Sequence, residues 1–324
     1  MRDKPFVSVS MITYNHEAFI SQAIEGVLIQ ETDFPVELII GDDCSTDRTR
    51  EICLAYQKKF PDKIRVLPRE KNLGITGNST DVFKNCDGKY VALCEGDDFW
   101  THPQKLQKQV DFLEANPDFA MCSHNAIVIY NNKNKASHEL TDNKKDVFTF
   151  DDVVKKNFSM PTNSCVFRNN IFQSLPDSFP MFDWAVHLLS SSKGKIKFLD
   201  EVMSVYRKHE GGWTNLSATL KAKQILDTTK RCKDYFAPAN VEDFDRILAN
   251  TYADVCFGYF KDDDSENFSK SFEDCKKYWH LMSERKRKAL AVRSTLLQYP
   301  LLAKNYRLLS NKISEIVFMR SKKV

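Results

Sequence analysis

Three times within its first hundred residues this chain repeats one pattern: a β-branched apolar run followed at once by residues spaced for a helix. Val7 to Tyr14 is the first run, and Phe19, Ile20, Ala23, Ile24, Val27 and Leu28 then fall on one face of a helix predicted from Glu17 to Ile29. Val36 to Ile40 is the second, ahead of a helix from Asp47 to Lys59 that Ser45 or Thr46 can cap. Ile64 to Leu67 precedes a helix from about Thr76 to Asn85, and Tyr90 to Cys94 opens a fourth strand. Such alternation implies an α/β fold, a mostly parallel sheet with helices on both faces. In sheets of this kind ligands sit at the carboxyl ends of the strands.

Those ends carry Tyr14-Asn15, Asp42-Asp43 and Glu95-Gly96-Asp97-Asp98, which should therefore share one crevice. Carboxylates gathered at the end of a buried strand repel one another and lose solvation. A divalent cation, Mg²⁺ or Mn²⁺, compensates both effects and leaves positions for a substrate phosphate. Two plainer readings stand beside this one. The acidic turn can cap the helix announced by Thr101-His102-Pro103, and Asp42-Asp43 can be an Asx-type turn.

With 324 residues, 42% of them hydrophobic and 28% charged, the chain suits one large soluble domain or two. No apolar run approaches the ~20 residues of a spanning helix, and Met1-Arg2-Asp3-Lys4 leads into a strand, not a signal peptide. Nine cysteines with no CxxC pair read as reduced thiols in a cytoplasmic protein. The net charge of +3 is unevenly spread. From Glu284 to Val324 there are 11 Lys/Arg against two Glu, and the rest of the chain holds 36 against 42 Asp/Glu. A basic tail is an electrostatic handle for an anionic surface, or simply a solvated helix face.

The motifs then become specific in combination. Val-Ser-Val-x-Met-x-x-Tyr-Asn opens the chain, Glu37 to Thr49 reads Glu-Leu-Ile-Ile-Gly-Asp-Asp-Cys-Ser-Thr-Asp-x-Thr, Lys71-Asn72-x-Gly74 follows, and Gly88-Lys89-Tyr90-Val91-Ala92 leads to the Glu-x-Asp-Asp turn and Pro103. In order and spacing the chain resembles family 2 of the glycosyltransferases, strongly over residues 5–115 and more weakly to about residue 215. The resemblance implies a GT-A Rossmann-like domain, 1–216, that is inverting and uses a nucleotide sugar, followed by a helical region, 217–324, with a basic tail. It places Thr13, Tyr14, Asn15, Asp42, Asp43, Asn72, Gly74, Asn78, Asp97 and Arg207 around a UDP-sugar. Tyr14 would lie against the base and Asp43 would accept from the uracil. Asp97 and Asp98 match the DxD region that holds ribose and metal, with Glu95 standing where the first aspartate is usual. His209, in Tyr206-Arg207-Lys208-His209, joins them as a metal ligand or a diphosphate contact, and the Gly211-Gly212 pair would let that loop hinge.

In the resemblance Asp183 matches the catalytic base, with Phe182 in place of the usual glutamate before it. An inverting transfer needs one carboxylate beside the acceptor hydroxyl. Trp184 and Trp213 offer aromatic faces to an acceptor sugar. Asp183 is equally suited to cap the helix that starts there. The intervening stretches read as a strand at Phe119 to Tyr130, a short helix at Val147 to Asn157, a strand at Asn163 to Arg168 whose polar head Thr162-Asn163-Ser164 is expected to face the acceptor, and two short strands, Lys195 to Leu199 and Val202 to Tyr206.

From Ser217 onward the spacing is helical: Leu220 to Tyr235, Val241 to Phe260, Phe268 to Met282 and Arg285 to Val317. Leu302, Tyr306, Leu309, Ile313 and Ile316 form a seam for another helix, in this chain or in a homodimer. The leading expectation is a metal-dependent enzyme transferring sugar to a saccharide or lipid-linked saccharide in cell-surface polysaccharide synthesis. It would be cytoplasmic or peripheral at the inner membrane face through the basic helices, with no nucleic-acid partner. The alternative is a non-catalytic sugar-nucleotide-binding or scaffold module. A nucleotidyltransferase would want a glycine-rich phosphate loop, which Thr13 to Glu17 lacks.

Overall fold

The computed structural model describes residues 4–131, 136–141, 145–155, 160–172, 176, 179–181, 183–210, 216–236 and 241–308. The chain divides into two compact units, Met1–Gly212 and Trp213–Val324. In chain order the first unit contains β1 (Val7–Thr13), α1 (Ile20–Leu28), β2 (Val36–Asp42), α2 (Thr49–Lys59), β3 (Ile64–Pro68), α3 (Gly74–Lys84), β4 (Tyr90–Leu93), β5 (Phe99–Trp100), α4 (Lys105–Ala115), β6 (Phe119–Tyr130), β7 (His138–Glu139), β8 (Val147–Phe148), α5 (Phe150–Val154), β9 (Val166–Arg168), α6 (Asp183–Ser191) and β10 (Lys195–Lys208).

One sheet runs through the unit in the order β3-β2-β1-β4-β9-β6-β10-β5. β3, β2, β1 and β4 pair in parallel, as do β6 and β10. β9 lies antiparallel between β4 and β6, and β5 antiparallel on the far side of β10. Two reversals at β9 restore the original direction. The carboxyl ends of β1, β2, β4, β6 and β10 therefore emerge at one edge. Both faces of the sheet are covered. Val7, Val9 and Met11 of β1 are buried, and so are Ser8 and Ser10 between them, which is why these strands read as continuous runs. Ile20, Ile24, Leu38, Ile40, Leu106 and Val110 complete much of this core.

Several boundaries differ from the sequence pattern for local reasons. The expected strand from Asn163 starts as a 3₁₀ turn, Thr162–Ser164, in which the Ser164 hydroxyl donates to Pro161 O (2.6 Å); only Val166–Arg168 pairs. The expected helix at Val147 begins instead as β8, and α5 starts at Phe150 behind a capping box of Thr149 and Asp152. The two short strands around Asp200-Glu201 are one strand, β10, and those acids occupy a register shift against β6 between Leu199 and Val202. Neither Ser45 nor Thr46 caps α2; Asp47 accepts from Thr49 N (2.9 Å).

One residue in this core is out of place by polarity. Lys105, at the start of α4, is fully buried, and among the described residues its Nζ has no hydrogen-bond partner. The face of Trp100 lies 3.8 Å away and supplies part of the lost solvation. Burial pushes the amine down from 10.5 to about 7. The unfolded chain therefore carries a proton that the folded one has released across the window from about 7 to 10.5, and stability rises with pH through it. We expect Lys105→Met to stabilise the protein at pH 7 by on the order of a few kcal/mol. Urea midpoints at neutral and alkaline pH should show the difference from the parent shrinking as pH rises.

The second unit is helical: α7 (Ala218–Phe236), α8 (Val241–Lys261), α9 (Ser265–Lys276), α10 (Glu284–Leu296) and a last helical segment over 300–308. Leu248, Tyr252, Cys256, Phe260, Phe268 and Cys275 form its core. The long helix expected from Arg285 is interrupted before Pro300, which suits the first turn of a new helix and not the interior of an old one. The expected seam is split. Tyr306 packs on Phe260 inside the unit, whereas Leu302 is exposed, and Leu309, Ile313 and Ile316 lie outside the described residues. Among the described residues no helix is long and apolar enough to cross a membrane, and the nine cysteines are free thiols.

Candidate active site

The turn after β4 is pressed against the end of β1. A Cβ on Gly96 would come within 2.6 Å of the Thr13 hydroxyl, so the close approach needs glycine. The turn then sends neighbouring acids to different places. Asp97 turns toward the ends of β1 and β10. Its Oδ2 lies 2.9 Å from His209 Nε2 and 3.9 Å from His16 Nε2. One ligand atom from each of these three side chains lies within 4.8 Å of the others, the spacing of a metal site. His16 is steered by its other nitrogen, 3.2 Å from Thr13 Oγ1, which frees Nε2 for an ion. Burial works against the Asp97 charge, but the His209 hydrogen bond and the two imidazoles outweigh it and hold the carboxyl below its usual value.

Asp98, expected among the metal ligands, goes elsewhere. Its Oδ1 accepts from Arg207 N (2.8 Å) and its Oδ2 from Asn163 Nδ2 (2.9 Å). Asn163 in turn bonds Val205 O and Ser204 Oγ. Both Asp98 oxygens are thus engaged in tying the acidic turn to β10. Burial, followed by the charges of Asp97 and Glu95, raises its pKa well above the usual range. Arg207 is similarly committed. Its guanidinium donates to Asp97 O (2.5 Å) and Gln22 Oε1 (2.6 Å), between the rings of Phe19 and Phe99. It props the turn that carries Asp97.

On the β1–β2 side, Tyr14 is exposed, at 44%. Asn15 adopts a left-handed backbone and its side-chain oxygen accepts from Thr46 N (2.8 Å), pinning one loop to the next. Asp43 is buried; its Oδ1 accepts from Leu73 N (2.7 Å) and its carbonyl from Asn72 Nδ2 (3.1 Å). Asn72 also accepts from Gly74 N (3.0 Å), and Gly74 sits at φ 72°. Asp42 and Asn78, also expected near the nucleotide, face the interior. Asp42 is paired with Arg50 (2.6 Å) and Asn78 donates to Gly41 O (2.8 Å), holding α3 on β2.

On the other side lies Asp183, the first residue of α6 and exposed. Its Oδ2 accepts from the Thr162 hydroxyl (2.5 Å). Glu95 is half-buried and feels the charges of both this carboxylate and Asp97. Burial, then the charge of Asp183, then that of Asp97 drive its pKa far up, and among the described residues its Oε2 has no hydrogen-bond partner. The Tyr206 hydroxyl is raised by burial and then by Asp98, Asp97, Glu95 and Asp183 together, so the four acids form one electrostatic cluster. His187, one turn along α6, is lowered by burial to about 4 against the pull of Asp183. Trp184 is half-buried, its indole donating to Val153 O (2.9 Å). Trp213, Phe182 and the Gly211-Gly212 pair lie outside the described residues.

Two participants escaped the sequence reading. His16 was legible as an imidazole directly after Tyr14-Asn15, but its position resembled a helix start. Gln22 carries no motif, and only the fold brings it to Arg207. Thr162, expected on the acceptor side, meets Asp183 there.

Comparisons with known proteins bear on the family and the fold. The family model described as Glycosyl transferase family 2 matches residues 8–176. An uncharacterized protein of Mycobacterium tuberculosis is 39% identical over 207 residues, covering 64% of this chain and 60% of its own, so the chain spans about 60% of the length of such relatives. TarS of S. aureus, residues 1–349 in complex with UDP-GlcNAc, superposes with a TM-score of 0.63 at 17% identity over 93% of this chain and 91% of that one. The mannosyltransferase PcManGT from Pyrobaculum calidifontis, in complex with GDP-Man and Mn²⁺, gives 0.54 at 14% identity over 97% and 88%. The fold is therefore that of the GT-A transferases. With strand ends, acidic turn and family model in register over half its length, the chain belongs to glycosyl transferase family 2.

Proposed function

We propose that this protein is a metal-dependent inverting glycosyltransferase that moves a sugar from a UDP-sugar to a hydroxyl of a saccharide or lipid-linked saccharide, in polysaccharide synthesis at the cell's inner face. The observation that carries the reading is Asp97, gathered with His16 and His209 at the sheet edge and coupled through Glu95 to Asp183. Two imidazoles and one carboxylate suit Mn²⁺ better than Mg²⁺, which prefers all-oxygen surroundings. When bound, such an ion supplies positive charge to the diphosphate leaving group.

The chain's own residues do the rest. The exposed Tyr14 ring can stack on the base, and Asp43 keeps one carboxylate oxygen for the uracil N3–H while the other is held by Leu73 N. Asp183 takes the proton of the acceptor hydroxyl as that oxygen attacks the anomeric carbon from the face opposite the departing diphosphate. Thr162 fixes the orientation of Asp183 by holding one of its oxygens. Trp184, half-buried with its indole N–H on Val153 O, would offer an aromatic face to the acceptor sugar.

The test is a thermal-shift panel of UDP-, GDP- and dTDP-sugars with Mn²⁺ or Mg²⁺. A UDP-sugar with Mn²⁺ should give the largest shift. A GDP- or dTDP-sugar winner would correct the base, and no shift with any donor would reject the reading. Donor binding without hydrolysis or transfer to any acceptor would favour the non-catalytic module.

A further inference from the structure

The end of the second unit carries apolar side chains where a soluble helix normally carries charge. In the helical segment over 300–308, Ala303 is buried, and Tyr306 and Arg307 face the unit's core beside Phe260. The opposite pole holds Leu301 and Leu308, 79% and 53% exposed, flanked by Leu302 at 55%. Tyr299, just before the segment, is 55% exposed, and Val292 on α10 is 48% exposed. The outer side of this helix carries these leucines around the exposed Asn305, and among the described residues it is left uncovered.

Charge indicates what covers it. Between Glu284 and Leu308 there are seven Lys/Arg and one acid. Lys286, Lys288 and Arg307 are paired with Asp254, Glu284 and Asp263, and Arg293 lies over the rings of Phe257, Phe260 and Tyr306. Arg285 and Lys304 stay exposed, with no acid paired to them among the described residues. Leucines at the pole with the unpaired Lys304 in the same helix, in a stretch rich in cations, are the arrangement of a helix lying in the headgroup region of an anionic bilayer. A second copy of the chain would bring the same cations against these in a self-complementary contact, which like-charge repulsion disfavours. Nucleic acid would use the cations but give the leucines nothing to bury against.

We infer that the face formed by Tyr299, Leu301, Leu302 and Leu308, with Arg285 and Lys304, docks on an anionic lipid bilayer. The contact is independent of the donor-site reading above. The test uses the full chain in co-sedimentation with vesicles of phosphatidylcholine alone or mixed with phosphatidylglycerol. The protein should sediment with the anionic vesicles and stay in solution with the neutral ones. Leu301→Ser with Leu308→Ser, and separately Arg285→Glu with Lys304→Glu, should each weaken binding by about tenfold or more. These positions are exposed, so the variants should keep the parent melting temperature and donor-induced shift. Three results would overturn the inference: no sedimentation with anionic vesicles, sedimentation unchanged in both variants, or a dimer in light scattering that Leu301→Ser with Leu308→Ser dissolves.

Discussion

Asp183→Asn is expected to lower sugar transfer by about a thousandfold while leaving donor binding intact. The substitution keeps size and shape, and the Thr162 hydroxyl still finds an oxygen to bond. What disappears is the only feature an acceptor hydroxyl needs from this position, a basic lone pair on a carboxylate. The amide cannot take a proton, so the acceptor must attack as a neutral alcohol. Asp183 also lies far in sequence from the nucleotide side, and none of Tyr14, Asp43 and His16 is hydrogen-bonded to it. Initial rates at saturating donor, with the donor-induced thermal shift measured in parallel, check both halves of the expectation. Unchanged turnover would remove Asp183 from the chemistry; lost donor binding would mean that it holds the site together instead.

Asp97→Asn should have the second large effect, by a different route. It removes the one carboxylate from the trio with His16 and His209, and Mn²⁺-dependent donor binding should weaken by about a hundredfold or more. The backbone carbonyl of residue 97 still accepts from Arg207, so the turn should keep its course. Asp98→Asn is the informative contrast. Both its oxygens accept hydrogen bonds, from Arg207 N and Asn163 Nδ2. An amide would turn a donor toward one of them, at a cost of about 1–3 kcal/mol in stability. Calorimetric titration with Mn²⁺ and thermal melting should therefore separate the neighbours: affinity lost at 97, melting temperature lost at 98. The reverse pattern would exchange their roles.

That contrast marks the limit of what the sequence disclosed. The strand-helix repeats, the shared edge of Tyr14, Asp43 and Asp97, and the strand leading to His209 were all readable, because periodicity and strand-end chemistry are local. Which of two adjacent aspartates points outward was not. Both lie in the turn between β4 and β5, where side-chain direction follows the local backbone and not a fixed strand period, so the sequence pattern does not assign it. Asp42 and Asn78 were misjudged for the same reason: each is a polar residue at the right edge whose side chain turns inward, to Arg50 and to Gly41. β10 was split in two because Asp200-Glu201 resembles a turn, and only pairing with β6 shows that they occupy a bulge. Thr162 was legible as a polar strand head on the acceptor side, but not its bond to Asp183, which spans 21 residues with no motif between them.

The sheet order has a consequence for synthesis. β10 is the last strand made, yet it lies inside the sheet between β6 and β5, and it delivers His209 and the arginine prop to a turn built 110 residues earlier. A nascent chain that has left the ribosome only as far as β6 can already present Tyr14 and Asp43, but it lacks the second imidazole and the Asp98 tie. On the function proposed above, the ion site would be complete only after that final long-range pairing closes.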